Sequence, residues 1–220
     1  MGPHPGRLRL TAQDIRVSIA NMNIAERRRP YRMVARAEAA AQTGERILDA
    51  AAEVFFEEPT ASISLEEVAR RAGVTVQTVI RRFGGREGLL AAAGERESAK
   101  VREEREVEPG DLREAVRTLV AHYERTGDQV LRMLAEETRS PALAAIVNRG
   151  RAMHREWCEA VFAPALEGLN GAARERRVAQ LVAVCDVYTW MLLRRQSGLS
   201  RRQTELAMYE LIETLTQRGQ

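Results

Sequence analysis

Between Ser64 and Phe83 apolar and polar positions recur at helical spacing in two short bursts separated by a glycine. Leu65, Val68, Ala69 and Ala72 fall on one stripe while Glu66, Arg70 and Arg71 face away, which predicts a short amphipathic helix. Ser64 followed three residues on by Glu67 is the reciprocal capping arrangement, in which hydroxyl and carboxylate each satisfy an orphan N–H at a helix start. Gly73 supplies the positive φ at which that helix stops, and Val74 an apolar contact just beyond it. Thr75 is placed to cap a second helix with Val79 and Phe83 inward, leaving Val76, Gln77, Ile80 and Arg81 on the outer side. Two short helices about a tight glycine turn form the helix-turn-helix pattern, whose second helix is sized for a DNA major groove. A helical hairpin that merely packs shares the same spacing.

The flanks narrow the choice. From Thr43 onward, GERILDAAAEVFFEE carries Ile47, Ala51, Val54 and Phe55 on one side, and Thr43 is placed to cap this first helix. After Phe83, GGREGLLAAAGE opens a fourth helix with Arg86 in its first turn and Leu89, Leu90 and Ala93 inward. With these elements in place, residues 43–94 resemble the DNA-binding domain of the tetracycline-repressor (TetR) family of transcriptional regulators. The matching positions are Val68 to Ala72, Gly73, Val74, Thr75, the aromatic Phe83, and Arg86, Glu87, Leu89 and Leu90. Two positions depart from the family's habit: Ile80 stands where a Tyr is usual and Arg86 where a Lys is usual. Ile80 has no hydroxyl for a phosphate but suits a thymine methyl, and Arg86 keeps the charge and adds a bidentate fork.

The resemblance implies an all-α fold, an operator DNA partner of near-palindromic sequence, and a repressor that a small molecule controls through a C-terminal helical domain. It also implies a homodimer formed through the last two helices. Gln77 is the candidate for a base-edge bond and Arg81 for guanine or phosphate, with Val76, Thr78 and Ile80 supplying apolar or hydroxyl contacts. Thr43, Thr75, Arg82 and Arg86 are the candidate phosphate clamps.

The remaining pattern divides the chain into an Arg-rich extension (residues 1–40), the helix-turn-helix domain (41–100) and a helical regulatory and dimerisation domain (110–218). The extension has no lasting periodicity apart from a short helix expected near Ile15 to Ile24, and Arg27, Arg28, Arg29 and Arg32 are candidates for phosphate or minor-groove contact. The fourth helix ends in the charge-rich run ESAKVREEREVE, which reads as a solvated connector stopping before Pro109-Gly110. Asp111 is placed to cap a helix that Gly127 closes, and Val130, Leu131 and Leu134 line a short one after it. Ser140-Pro141 starts a helix running to about Phe162, a loop follows at 168–171, a long helix covers about 172–196, and the last spans 200–217. Val178, Leu181, Val182, Cys185, Tyr188, Met191, Leu192, Leu206, Tyr209, Ile212 and Leu215 give these last helices broad apolar faces, which predicts a two-fold four-helix seam.

Charge refines this picture. The net charge is +3, but residues 1–42 hold eight Arg against three acids while residues 43–90 hold six Arg against eight acids. The basic arm is therefore expected to supply attraction to DNA that the helix-turn-helix domain lacks. Cys158 and Cys185 are too few for a disulfide framework or a zinc site, and the plain expectation is two buried thiols in a reduced, cytoplasmic protein with no membrane partner. No cofactor or metal is expected. His122, Tyr123, Met133, His154, Trp157, Cys158, Tyr188, Trp190 and Met191 are the candidate lining of an apolar pocket for an effector. No nucleophile elbow, phosphate loop or His-Glu-x-x-His occurs, so an enzyme is not expected. A helical protein-interaction adaptor is the alternative.

Overall fold

A computed structural model describes residues 36–55 and 64–217 of the chain. Every regular element among these residues is helical, as the periodicity requires. The chain divides into two units between Arg46 and Ile47. The helix expected at Ile15 to Ile24 and the arginines at 27, 28, 29 and 32 lie outside the described residues.

Residues 36–55 are helical (α1), so the helix starts earlier than Thr43. The preceding run Arg36 to Gln42 is rich in Ala, Arg and Glu, all strong helix formers, and the helix is already under way when it reaches Thr43. The Thr43 hydroxyl then donates back to the Ala39 carbonyl at 2.8 Å, which corrects its expected role as a cap.

The next elements are α2 (Leu65–Ala72), α3 (Val76–Phe83) and α4 (Arg86–Glu104). One apolar cluster joins Ile47, Ala51 and Val54 of α1 with Val68, Ala69 and Ala72 of α2, Val79 of α3, and Leu89, Leu90 and Ala93 of α4. Beyond Asp111, whose carboxylate accepts from the Glu114 N–H at 3.0 Å, come α5 (Leu112–Glu136), α6 (Pro141–Val161) and the short α7 (Ala163–Leu166). The chain ends in α8 (Gly171–Val184), α9 (Val187–Met191) and α10 (Arg201–Gln217). A second cluster, centred on Leu119, Tyr123, Cys158, Leu181, Trp190, Met208 and Ile212, draws on α5, α6, α8, α9 and α10.

Three expectations along this part are corrected. Gly127 does not close a helix: α5 runs through it, and the missing side chain makes room for the Trp190 ring, since an added Cβ would sit 2.4 Å from Trp190 Cζ3. The expected single helix over 172–196 breaks at Cys185. There Asp186 turns extended (φ −74°, ψ 153°), and its carboxylate accepts from the Tyr188 N–H at 2.9 Å, which restarts the helix as α9. The last turn, Leu192–Gln196, is π-helical, and Arg194 and Arg195 tie it to Glu124 and Asp128 of α5 at 2.8 and 2.9 Å. Finally, much of the apolar face assigned to a dimer seam is spent inside one chain. Val178, Leu181, Cys185 and Ile212 are buried where α8 and α10 pack on α5 and α6, while Tyr188, Leu192 and Leu206 remain exposed.

Candidate nucleic-acid interface

Local capping fixes the pose of the recognition helix. The Ser64 hydroxyl accepts from the Glu67 N–H at 3.1 Å and opens α2. The reciprocal half of the expected capping box is replaced by an ion cluster in which the Glu67 carboxylate holds Arg70 (2.6 Å) and Arg71 (2.7 Å). Hydrogen bonds from Arg70 and then Arg71 draw that carboxyl down to about 2. Gly73 closes α2 at φ 66°, and the Val74 N–H reaches the Ala69 carbonyl at 3.0 Å, the six-to-one bond of a Schellman stop. The Thr75 hydroxyl caps α3 by accepting from the Thr78 N–H at 3.2 Å, and Gly84 ends it at φ 78°.

Within α3 only Val79 is fully buried, with Phe83 half-buried against the same cluster. Thr75, Gln77, Ile80, Arg81 and Arg82 are exposed, and Thr78 and Arg86 are half-buried. Val76, expected on the outer side, packs partly into the cluster and has less surface to offer. Among the described residues neither Arg81 nor Arg82 has an ion-pair partner, whereas most arginines of α4, α5 and α6 are paired with acids. Two free guanidiniums beside an outward Gln on a capped helix are what phosphate positioning and base-edge reading need. The remaining candidate, Thr43, lies half-buried in the first unit.

A cavity of about 480 Å³ is walled by the end of α1, by α4, α5 and α6, and by Val182, Asp186 and Val187. Of the residues proposed to line a pocket, His122, Tyr123, Met133 and His154 do so. The other five sit outside the wall. Trp157 donates its N–H to the Arg105 carbonyl at 2.7 Å, and Cys158 and Trp190 are fully buried in the core. Tyr188 is exposed, and Met191 packs against the core.

Burial, then the charges of Arg105 and Arg125, lower His122 to about 3, so its imidazole is neutral at ordinary pH. The Glu104 carboxylate at 3.9 Å does not reverse this, being half exposed and committed to Arg125 at 2.6 Å. Tyr123 is pushed up by burial and donates its hydroxyl proton to the Cys185 carbonyl at 3.0 Å. The hydrogen bond with Cys158, with burial, keeps the Cys185 thiol well above the ordinary thiol range. Both cysteines are free and buried.

Sequence reasoning missed the residue that distinguishes this cavity. Arg105 stands in the charge-rich run taken for a solvated connector, yet it is 4% exposed and lines the wall. A run of alternating acids and arginines gives no signal that one member turns inward. Among the described residues no cluster of three or more His, Cys, Asp or Glu could hold a metal ion, and no helix is long and apolar enough to cross a membrane.

Comparison with known proteins bears on this arrangement. Residues 47–93 match the model of a family described as bacterial regulatory proteins, tetR family. Two curated proteins, uncharacterised HTH-type transcriptional regulators from two strains of Mycobacterium tuberculosis, are 37% identical over 101 residues, 46% of this chain and 46% of theirs. The match thus spans about half the length of these relatives. A solved transcriptional regulator from Rhodococcus sp. RHA1 aligns with a TM-score of 0.60 at 23% identity, over 79% of this chain and 96% of that one. NalD, the secondary repressor of the MexAB-OprM multidrug efflux pump in Pseudomonas aeruginosa, aligns with a TM-score of 0.52 at 21% identity, over 81% and 96% of the two chains. At such identities the two structures speak for the fold.

Proposed function

We propose that the chain, whose residues 47–93 match the model of the tetR family of bacterial regulatory proteins, is a dimeric, operator-binding repressor of that family whose DNA affinity a small molecule controls. The observation that carries this reading is α3 itself, capped by Thr75, anchored by Val79 and turned outward with Gln77, Arg81 and Arg82. Gln77 bonds an adenine or guanine edge, Ile80 meets a thymine methyl, and Arg81 takes guanine or phosphate. Thr75, Thr78, Arg82 and Arg86 set the register on the phosphates, with Val76 a minor contact and Thr43 a phosphate clamp. Residues 41–100 serve as the DNA-binding domain and 110–218 as the regulatory and dimerisation domain, with the Arg-rich residues 1–40 adding electrostatic attraction.

Control rests on α4. Leu89, Leu90 and Ala93 pack into the cluster that supports α3, while Gly94, Val101 and Arg105 of the same stretch wall the cavity. An occupant that prefers one setting of α4 shifts DNA affinity by its differential affinity for the two settings, and no more. The likeness to NalD, a repressor, favours repression as the sign, by analogy of fold alone.

Selection of bound fragments from a random DNA pool tests binding, symmetry and half-site spacing together. Gln77→Ala is expected to relax base preference, while Arg86→Gln weakens all sites alike and lowers the salt slope by about one. Failure to enrich any sequence, with no binding at low ionic strength, would falsify the reading.

A further inference from the structure

We propose that the cavity is built for an amphipathic organic anion, an apolar body ending in a carboxylate, whose head pairs with Arg105 and His122. This deepens the reading above and rests on it for the cavity's role as an effector site.

The wall is mostly apolar, with Phe55, Leu90, Val130, Met133, Ile146 and Val147 among its residues. Into this surface turns Arg105, 96% shielded from solvent, at the end of α4. A buried guanidinium is costly unless paired and fully hydrogen-bonded. Among the described residues no carboxylate is in ion-pair contact with Arg105. Its group lies over the Trp157 ring, 4.3 Å from the centroid, and one Nη contacts His154 Nδ1 at 3.1 Å. Its Nε is buried without any hydrogen-bond partner, and so is Nδ1 of His122 on the same wall.

The charges of the lining point the same way. Its other cations are matched within the protein: Lys100 with Glu97, Arg125 with Glu104, and Arg151 with Glu137. Asp186, the third acid of the lining beside Glu97 and Glu104, is spent on capping α9. Arg105 is the lining arginine left without an ion-pair partner among the described residues. Both residues line the cavity and each carries a buried nitrogen without a hydrogen-bond partner, a pair that the two oxygens of one carboxylate can match, one accepting from Arg105 Nε–H and one from an imidazole N–H of neutral His122. A neutral ligand leaves the guanidinium short of an anion, and a cationic ligand adds a second unpaired charge.

The test is a calorimetric titration of the full chain with three probes of one chain length at pH 7.5: dodecanoate, dodecanamide and dodecyltrimethylammonium, each below its micelle threshold. Dodecanoate is expected to bind about tenfold or more tightly than the amide, the cation not measurably, with Trp157 emission changing as the head docks beside it. Arg105→Met is expected to remove the preference for the acid. Should that variant fail to fold, the head-group series on the unaltered chain decides by itself. Equal binding of acid and amide, preference for the cation, or no binding by any probe overturns the proposal.

Operator binding, measured with and without dodecanoate, separates this inference from the reading beneath it. A chain that binds DNA but shows no head-group preference loses the anion site and remains a regulator. One that prefers dodecanoate yet ignores every duplex keeps the site and loses the regulatory role.

Discussion

Gly127 shows how a single residue reads differently once its neighbours are known. In the sequence a glycine after an apolar stripe is a helix stop; in the fold it is the seat of the Trp190 ring, which its missing Cβ admits. The ring is held there by its own N–H, donated to Glu124 at 3.1 Å, and Glu124 in turn holds Arg194. Gly127→Ala should therefore cost about 1 to 3 kcal/mol through overpacking, even though alanine is the better helix former. A higher melting temperature for the variant would show that the ring moves aside freely. His122 carries a pH signature at the same scale. Its folded-state value of about 3 lies below the ordinary 6.5, so between those values the unfolded chain binds the extra proton. Stability from this residue is complete above 6.5 and falls as acid is added towards 3, by up to about 1.4 kcal/mol per pH unit. His122→Phe should flatten the acid limb of a stability profile between pH 6.5 and 4, and an unchanged limb assigns the acid sensitivity elsewhere.

Among the elements, those whose ends are set by local chemistry were readable in the sequence. The starts of α2, α3 and α5 and the stop of α2 follow from Ser64, Thr75, Asp111 and Gly73, each acting within a few residues of itself. What could not be read depends on partners far along the chain: the continuity of α5 through Gly127, the break at Cys185, and the inward turn of Arg105. The candidate site divides in the same way. The outward face of α3 was legible because period and caps fix it, with Val76 the exception, whereas only four of nine pocket residues reach the cavity, since aromatic and sulfur side chains serve core and cavity equally well. The α3–α4 junction supplies the test at this scale. A Cβ on Gly88 would lie 1.8 Å from the Phe83 carbonyl oxygen, a backbone atom that moves only if α3 moves with it. Gly88→Ala is thus expected to lower DNA affinity by about tenfold or more, because a misplacement near 1 Å already breaks bidentate base contacts. Ligand binding in the cavity, measured on the same variant, should fall less than DNA binding; an equal fall would mean that the whole support has collapsed.

For the whole molecule the question is what meets the apolar surface left over after the chain has packed on itself. Four of the five large apolar side chains that stay exposed among the described residues, Tyr188, Leu192, Leu206 and Leu211, lie between α9 and α10, and the fifth is Ile80 on α3. Their exposures of 46 to 55% are high for residues of this size, and their place on the last elements agrees with a seam formed there between two copies. A dimer also answers a geometric need, since a single eight-residue helix reads only a few base pairs and a two-fold pair sets two such helices about 34 Å apart on one face of the duplex. Leu192→Glu combined with Leu206→Glu should leave the monomer's helicity intact, because both side chains already face solvent in one chain. The same pair of changes buries unpaired charge in the seam, so sedimentation should report a monomer and operator affinity should fall by about a hundredfold or more, consistent with losing one of two linked half-sites. A variant that sediments as a dimer and still binds its operator would place the seam on another face, and the spacing of the half-sites would then have to be derived from that face instead.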